Sequence, residues 1–193
     1  MHKVTDIQRC QEIARACTIA FRHEQGTFTI MLDETETQAV MQAVIHMAIT
    51  SKHLYENEAQ SAWIYVYHKH DKPDILAQAQ MGWYLLTHIS PQKMEAMQQA
   101  LQPWLSAPER FRKEKDYLYI YLFAIKPEYQ HHGQMRAIMK ELQKQAEQEQ
   151  IPIILDTDAI EKQQKYEACE FTTIAKAQLL FGIQQYAMIW RPS

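Results

Sequence analysis

The chain has 193 residues, of which 47% are apolar and 22% charged, and its formal net charge at pH 7 is −3. These numbers are typical of a globular protein with one core, so we expect a single domain over residues 1–193. The slightly acidic balance gives no indication of nucleic-acid binding, and the apolar runs are shorter than the ~20 residues that span a membrane.

The chain has three cysteines, Cys10, Cys17 and Cys169. An odd number without close pairing predicts buried free thiols in a reducing compartment. The N-terminal residues lack the apolar segment of a signal peptide. We therefore expect a cytoplasmic protein.

The N-terminal part of the chain predicts two helices. Apolar residues recur at helical spacing over residues 5–22. Asp33 and Glu36 form a capping box that opens a second helix, expected to run to about Glu56. Residues 28–32, between the two helices, are expected to be a short strand or extended.

The middle of the chain predicts one strand followed by two helices. Aromatic and β-branched side chains over residues 61–67 indicate the strand. Apolar spacing over residues 75–112 indicates two helices, the second opened by Ser90-Pro91.

Residues 117–125 are apolar without a break, which is typical of a central strand covered on both sides. Strict alternation places Tyr117, Tyr119, Tyr121, Phe123 and Ile125 on one face and Leu118, Ile120, Leu122 and Ala124 on the other. Helical spacing over residues 135–146 and a buried strand over residues 151–155 follow. Strand, helix and strand of these lengths predict a parallel, right-handed crossover.

The C-terminal part predicts one more helix and two strands. Thr157 or Asp158 is expected to cap a short helix that ends near Cys169. Residues 171–183 and 185–190 are expected to be strands paired antiparallel.

The junction after the 117–125 strand carries the most information about function. Lys126-Pro127 ends the strand, and Gly133, one of only four glycines, lies in the turn before the next helix. Backbone N–H groups at a helix start are unpaired, and the helix dipole adds about half a positive charge there. This order of elements predicts an anion site.

The same junction resembles the acyl-CoA signature of the GNAT superfamily of N-acyltransferases. In that signature an aliphatic strand end is followed by x-Pro-x-x-Gln/Arg-x-x-Gly-x-Gly/Ala. Ile125, Pro127, Gln130 and Gly133 match it with the correct spacing, whereas Met135 stands at the last small position.

The resemblance extends to the end of the chain, in a layout close to puromycin-N-acetyltransferase-like members. Leu155-Asp-Thr is similar to the family's Leu-Glu-Thr, and Tyr166 to Phe171 is similar to its Tyr-Glu-Arg-Leu-Gly-Phe. The chain departs from the family at Lys162, where asparagine is frequent, and at Glu170, where the family has glycine.

The resemblance implies an α/β (α+β) fold of GNAT type, a mixed and strongly twisted sheet with helices on both faces. It implies an N-acetyltransferase that moves an acetyl group from acetyl-CoA to the primary amine of a small molecule by direct transfer. The departures at Met135, Lys162 and Glu170 motivate an alternative, a catalytically degenerate acyl-CoA-binding module with a sensing or interaction role.

The resemblance also implies the residues of the site. The acetyl-CoA-binding set is Phe123, Ala124, Ile125, Gln130, His131, His132, Gly133, Gln134, Met135 and Arg136. The resemblance implies that the pantetheine amides pair with the strand backbone and that the phosphates lie at the turn. Positive charge at the turn would come from Lys126, His132 and Arg136. The backbone N–H of Ile125 would stabilise the oxyanion.

Tyr166 takes the family's position for the acid that protonates the departing thiolate, and packing of its ring on the sheet is the alternative. Tyr119, Tyr121 and Asp116 lie on or near the strand that faces the site, but no base is assigned. No metal site is predicted. The expected partner is a small-molecule amine, with neither nucleic acid nor membrane, and both a monomer and a homodimer are left open.

Overall fold

The computed structural model describes residues 1–23, 26–71, 75–105 and 114–193. Its centre is a seven-stranded sheet in the order β1-β2-β3-β4-β5-β7-β6. The strands are β1 (His2–Lys3), β2 (Leu54–Glu56), β3 (Ala62–His68), β4 (Leu118–Ile125), β5 (Ile153–Thr157), β6 (Thr172–Gln178) and β7 (Gln184–Trp190). Only β4 and β5 pair in parallel, and all other neighbours are antiparallel. The predicted mixed sheet is confirmed.

Helices cover both faces of the sheet. Those described are α1 (Cys10–His23), α2 (Thr27–Met31), α3 (Glu34–Thr50), α4 (Ile75–His88), α5 (Pro91–Leu105), α6 (Gln134–Glu149) and α7 (Ile160–Glu167). Trp63 and Tyr65 of β3 pack with α1 and α3, whereas the alternate residues Ile64 and Val66 belong to the core beneath α6 and α7. Because neighbouring strand residues point to opposite faces, these are two separate cores.

The capping box that opens α3 is confirmed, but the predicted end of this helix is wrong. The Asp33 carboxylate accepts a hydrogen bond from Glu36 N, and the Glu36 carboxylate accepts one from Asp33 N, both at 2.9 Å. The helix ends at Thr50, six residues before the predicted Glu56. Lys52 adopts a left-handed φ of 63°, which reverses the chain so that residues 54–56 form β2 instead.

Two further predictions are wrong because Asp158 binds the start of α2 and not the start of α7. Residues 28–32 were expected to be extended, yet Thr27–Met31 is the short helix α2. Asp158 was a candidate cap for α7, yet the N-cap of α7 is Ala159. The Asp158 carboxylate instead accepts a hydrogen bond from Thr27 N at 2.6 Å, so it satisfies the start of α2, which is distant in the sequence.

The predicted alternation along β4 is also wrong, because the strand contains a β-bulge. Tyr65 of β3 pairs with Leu122, and the next residue, Val66, pairs with Ile120. Tyr121 therefore has no partner on β3. An extra residue of this kind shifts the side-chain alternation by one position.

The two halves of β4 consequently exchange faces at Tyr121. Tyr119, Leu122 and Ala124 belong to the α1 side, and Leu118, Ile120, Phe123 and Ile125 belong to the α6 side. The residues on both faces are apolar, so the sequence pattern carries no trace of the shift.

The other predicted elements are present among the described residues, but the strand predicted over 171–183 ends at Gln178, because residues 180–182 form a 3-10 turn with Phe181 at a left-handed φ of 59°. The strand at 61–67, the parallel β4–α6–β5 crossover and the antiparallel β6–β7 pair are all present. The two helices predicted within 75–112 are α4 and α5, although residues 106–112 lie outside the described part of the chain. None of the described helices is long and apolar enough to cross a membrane.

Candidate functional site

The candidate site lies where β4 and β5 separate. Their pairing ends at Ile120 and Leu155, although β4 continues to Ile125 and β5 to Thr157. A cavity of about 640 Å³ lies beside this gap, lined by residues of both strands, of α1 and α2, of the turn before α6, and of α7. Its size is within the range of small-ligand sites.

The backbone at the end of β4 faces this gap. The Lys126 N–H donates to the Ser61 carbonyl on the β3 side at 2.9 Å. Hydrogen-bonding groups alternate between the two edges of an antiparallel strand, so those of Phe123 and Ile125 point away from β3, toward the gap. Consistently, the Ile125 carbonyl accepts a hydrogen bond from Gln130 Nε2 at 3.1 Å. An extended ligand with amide groups can therefore pair with these two residues as an added strand would.

The turn after β4 presents the start of α6 to the same cavity. Gly133 is the N-cap and adopts a left-handed φ of 77°, which glycine tolerates best. The first hydrogen bond of the helix joins Ala137 N to the Gly133 carbonyl at 3.0 Å. The N–H groups of Gln134, Met135 and Arg136 consequently have no acceptor within the helix. This is the geometry that favours a phosphate or other anion.

The side chains around the turn take different positions. Met135 packs against the core beneath α6, while Arg136 is exposed and lines the cavity together with His131. Neither His132 nor Lys126 lines the cavity. His132 is exposed, and the Nζ of Lys126 lies 5.4 Å from the Trp63 ring centre. Met135, the main departure from the family pattern, is thus directed partly into the core.

Sequence reasoning missed a polar contact that holds this turn. Asn57 Nδ2 donates to Gln134 Oε1 and to Ser61 Oγ, both at 3.0 Å. These bonds tie the first residue of α6 to the loop between β2 and β3. A single asparagine in a loop gives no sequence signal for such a role.

Tyr166 lies in the same cavity as the turn. It is buried in α7, and its ring meets that of Phe171 edge-on at 5.6 Å between centroids. This position suits both alternatives, a proton donor to a ligand in the cavity and an aromatic anchor for α7.

The opposite wall of the cavity contains an ion pair that the sequence did not predict. Lys162 Nζ lies 2.7 Å from Asp158 Oδ1 and 5.1 Å from the Phe21 ring centre. Burial raises the pKa of the Asp158 carboxyl, but Lys162 and the hydrogen bonds from Thr27 outweigh burial and hold it below the ordinary value. Together with the hydrogen bond from Thr27 N to Asp158, this pair joins the start of α2 to α7.

A second carboxylate, Asp156, lies on the β5 wall. It accepts a hydrogen bond from the Tyr119 hydroxyl at 3.1 Å, and both residues line the cavity. Burial, and secondarily the charge of Asp156, raises the pKa of Tyr119 well above its ordinary value. The hydroxyl therefore keeps its proton at neutral pH and remains the donor.

The cysteines confirm the predicted free, buried thiols. Burial raises the pKa of Cys10 to about 11 and also raises that of Cys169, which lines the cavity. At neutral pH these groups are protonated, so they are poor nucleophiles.

Comparison with known sequences assigns the family. A sequence profile described as the Acetyltransferase (GNAT) family matches residues 20–167. The chain therefore belongs to the GNAT acetyltransferase family. No protein with a curated description matches the sequence.

Solved structures share the fold at low sequence identity. The C-terminal condensation domain of Ebony, in complex with β-alanyl-dopamine, has a TM-score of 0.69 at 9% identity and covers 98% of this chain and 97% of its own. The Drosophila melanogaster polyamine N-acetyltransferase has a TM-score of 0.67 at 9% identity, with 96% of each chain covered. Arylalkylamine N-acetyltransferase 2 of Aedes aegypti has a TM-score of 0.66 at 7% identity and covers 100% of this chain and 98% of its own.

Proposed function

We propose that this protein is an N-acetyltransferase that moves the acetyl group of acetyl-CoA directly to the primary amine of a small molecule. One observation carries the proposal. The helix start suited to an anion, the end of β4 that has left β5 and the Tyr166 side chain all line a single cavity.

Each part of acetyl-CoA has a counterpart in this cavity. The pyrophosphate would accept hydrogen bonds from the free N–H groups of residues 134–136, with Arg136 adding charge. The pantetheine amides would pair with the backbone of Phe123 and Ile125. This arrangement directs the thioester along β4 toward the gap.

The chemistry requires three contributions from the protein. The amine must be neutral to attack, the carbonyl oxygen must be stabilised as it gains charge, and the thiolate must receive a proton as the C–S bond breaks. The Phe123 N–H, which also points into the gap and lies two residues farther from the phosphate turn, is the proposed oxyanion donor in place of the Ile125 N–H, which pairs with pantetheine. Tyr166 is the proposed acid, because a phenol and a thiol have similar basicity.

The structural neighbours support an amine acceptor. Two of them are named for acetyl transfer to small amines, a polyamine enzyme from the fly and an arylalkylamine enzyme from the mosquito. Both share the fold of this chain, at 9% and 7% identity, and we propose an acceptor of the same kind here.

The direct test is turnover with a panel of small amines. We expect the wild-type protein to release CoA from acetyl-CoA with at least one member, measured with a thiol reagent, and mass spectrometry to find the acetylated amine. Release of CoA at the same rate without amine is the background control. No turnover across polyamines, arylalkylamines and amino acids would contradict the proposed enzyme.

A matched pair of glycine substitutions tests where CoA binds. Gly133 and Gly182 have similar left-handed φ angles, 77° and 75°, and a Cβ at either meets no atom within 4 Å. Alanine strains both positions by roughly 1–2 kcal/mol, but only Gly133 lines the cavity. We expect Gly133→Ala to weaken CoA binding about 10-fold by isothermal titration and Gly182→Ala to leave it unchanged. Equal effects of the two variants would argue against the turn as the phosphate site.

The alternative is an acyl-CoA-binding module without transfer activity. The observation in its favour is that Lys162, at a position where the family frequently has asparagine, is held by Asp158. Thermal stabilisation by CoA without turnover on any amine would favour this alternative over the enzyme.

A further inference from the structure

A hydrogen-bond network links the loop between β2 and β3 to the turn before α6. Its centre is Asn57, in that loop. The backbone N–H of Asn57 donates to the Ala62 carbonyl at 3.2 Å, and the Asn57 carbonyl accepts from Gln60 N at 3.0 Å. The position of Asn57 is therefore set by the backbone of the loop itself.

The side-chain amide of Asn57 has one possible orientation. Its Oδ1 accepts hydrogen bonds from Ser61 N at 2.9 Å and from Ala62 N at 3.2 Å. A backbone N–H can only donate, so the amide oxygen must face these two groups and the amide nitrogen must face the other way. Asn57 Nδ2 consequently donates to Ser61 Oγ and Gln134 Oε1, both at 3.0 Å.

This orientation is passed on to Gln134, the first residue of α6. Because its Oε1 accepts from Asn57, its Nε2 is directed away from Asn57 and carries two N–H groups. Neither group has an acceptor among the residues that the structure describes, and Gln134 lines the cavity. The start of α6 therefore carries a side-chain donor beside the free backbone N–H groups of residues 134–136.

We infer that the side-chain amide of Gln134 donates to the phosphates of CoA and that Asn57 is the residue that positions this amide. In the reverse orientation Gln134 would present its carbonyl oxygen to the phosphates, and negative charges would meet. Asn57 opposes that orientation, since Nδ2 and Nε2 would then face each other as two donors. This inference rests on the proposed function for the identity of the ligand, but it concerns binding and is measured without turnover.

Isothermal titration with CoA tests the two residues separately. Gln134→Met keeps the length of the side chain and removes the amide, and we expect it to weaken CoA binding about 10-fold. Asn57 retains Ser61 Oγ as an acceptor in this variant, so the loop is preserved. Asn57→Asp still accepts from the two backbone N–H groups but cannot donate, so Gln134 must reverse its amide. We expect this second variant to weaken CoA binding about 30-fold.

Gln60→Glu is the matched control for the added charge. Gln60 lies in the same loop, is exposed and does not line the cavity. The substitution makes the same amide-to-acid change outside the hydrogen bond from Asn57 to Gln134, so we expect CoA binding to stay within about 2-fold of the wild type. Equal losses in Gln60→Glu and Asn57→Asp would show that charge alone acts, and would overturn the role of Asn57.

A double variant separates positioning from support of the fold. If Asn57 acts through Gln134, Asn57→Asp has no amide left to orient in the Gln134→Met background. Its further effect on CoA binding is then expected to fall to about 3-fold or less. The same loss from Asn57→Asp in both backgrounds would show that Asn57 acts by another route, and would overturn its positioning role.

NMR of the Gln134 side-chain NH₂ group gives a spectroscopic signature of the same contact. Its signals are expected to shift when CoA is added to the wild type, and to respond little in Asn57→Asp, where the group faces the new carboxylate. Wild-type CoA affinity in Gln134→Met, or no CoA binding by the wild type, overturns the inference. If CoA binds with these dependences but no amine is acetylated, the proposed enzyme fails while the phosphate donor stands.

Discussion

Tyr166→Phe is expected to lower kcat for amine acetylation about 100-fold while leaving the Kd for CoA unchanged within about 2-fold. The substitution removes only the hydroxyl, so the edge-on contact of the ring with Phe171 is retained. A loss confined to kcat is what a proton donor predicts, because the donor acts on the thiolate that forms in the transition state. Steady-state kinetics and isothermal titration on the same preparations give the two numbers.

The packing alternative predicts a different pattern. If Tyr166 serves only as an anchor for α7, Tyr166→Phe keeps kcat near the wild-type value. Tyr55→Phe is the control, since Tyr55 lies on β2 and does not line the cavity. Urea unfolding of each variant distinguishes lost chemistry from lost stability. Unchanged kcat in Tyr166→Phe would remove the residue from the proposed mechanism.

The parts of this fold that the sequence predicted are those with local causes. The capping box at Asp33 and Glu36 involves neighbours in the chain, and so does the left-handed Gly133 at the start of α6. The spacing of apolar residues along α6 follows directly from the helical repeat. Each of these signals lies within a few residues and needs no knowledge of distant contacts.

The errors arose where distant residues decide the structure. Asp158 could not be assigned to Thr27 from the sequence, since the two are 131 residues apart. The order of the last strands is of the same kind, because β7 pairs with both β5 and β6 and lies between them. A hydrophobic pattern indicates that a strand is buried, but it does not indicate which strand lies beside it.

The same distinction between local and distant contacts explains why the sequence identified one end of the candidate site and not the other. The turn from Gln130 to Arg136 is contiguous, so its motif identified most of the residues that line one end of the cavity. The other end of the cavity is assembled from β4, β5, α1 and α2, which meet only in the folded chain. Tyr119 and Asp156 illustrate the limit, since the sequence proposed the tyrosine only as a neighbour of the site and gave no role to the aspartate.

Arg9→Met is expected to reduce the free energy of unfolding by about 3 kcal/mol at pH 7, because it leaves a buried charge without its ion-pair partner. Glu56 on β2 is 2% exposed and receives two hydrogen bonds from the Arg9 guanidinium, at 2.6 and 2.9 Å. His2 and Trp63 donate to the same carboxylate at 3.0 and 3.1 Å. Urea unfolding at pH 7 measures the loss, and Arg15→Met, on the exposed face of α1, is the control.

The pH dependence of the free energy of unfolding provides a second, independent test of this ion pair. Burial raises the pKa of the Glu56 carboxyl, but the hydrogen bonds and charge of Arg9 and its neighbours outweigh burial and hold it below the ordinary value. The ionised form therefore stabilises the wild type above the unfolded-state pKa of about 4.3, and this contribution is lost as the pH falls through the lower folded-state value. In Arg9→Met burial acts without the guanidinium, so we expect the difference between the two proteins to narrow below about pH 4.

Removing the charge together with its partner separates the ion pair from simple packing. In the double variant Arg9→Met with Glu56→Gln, no buried carboxylate remains, so we expect roughly 2 of the ~3 kcal/mol to return. The contrary result is a double variant whose free energy of unfolding is lower than that of Arg9→Met. In that case Arg9 stabilises the protein through packing of its aliphatic stem. That result would remove the electrostatic explanation for how β2, the strand missed by the sequence pattern, is held to the 3-10 turn Ile7–Arg9 before α1.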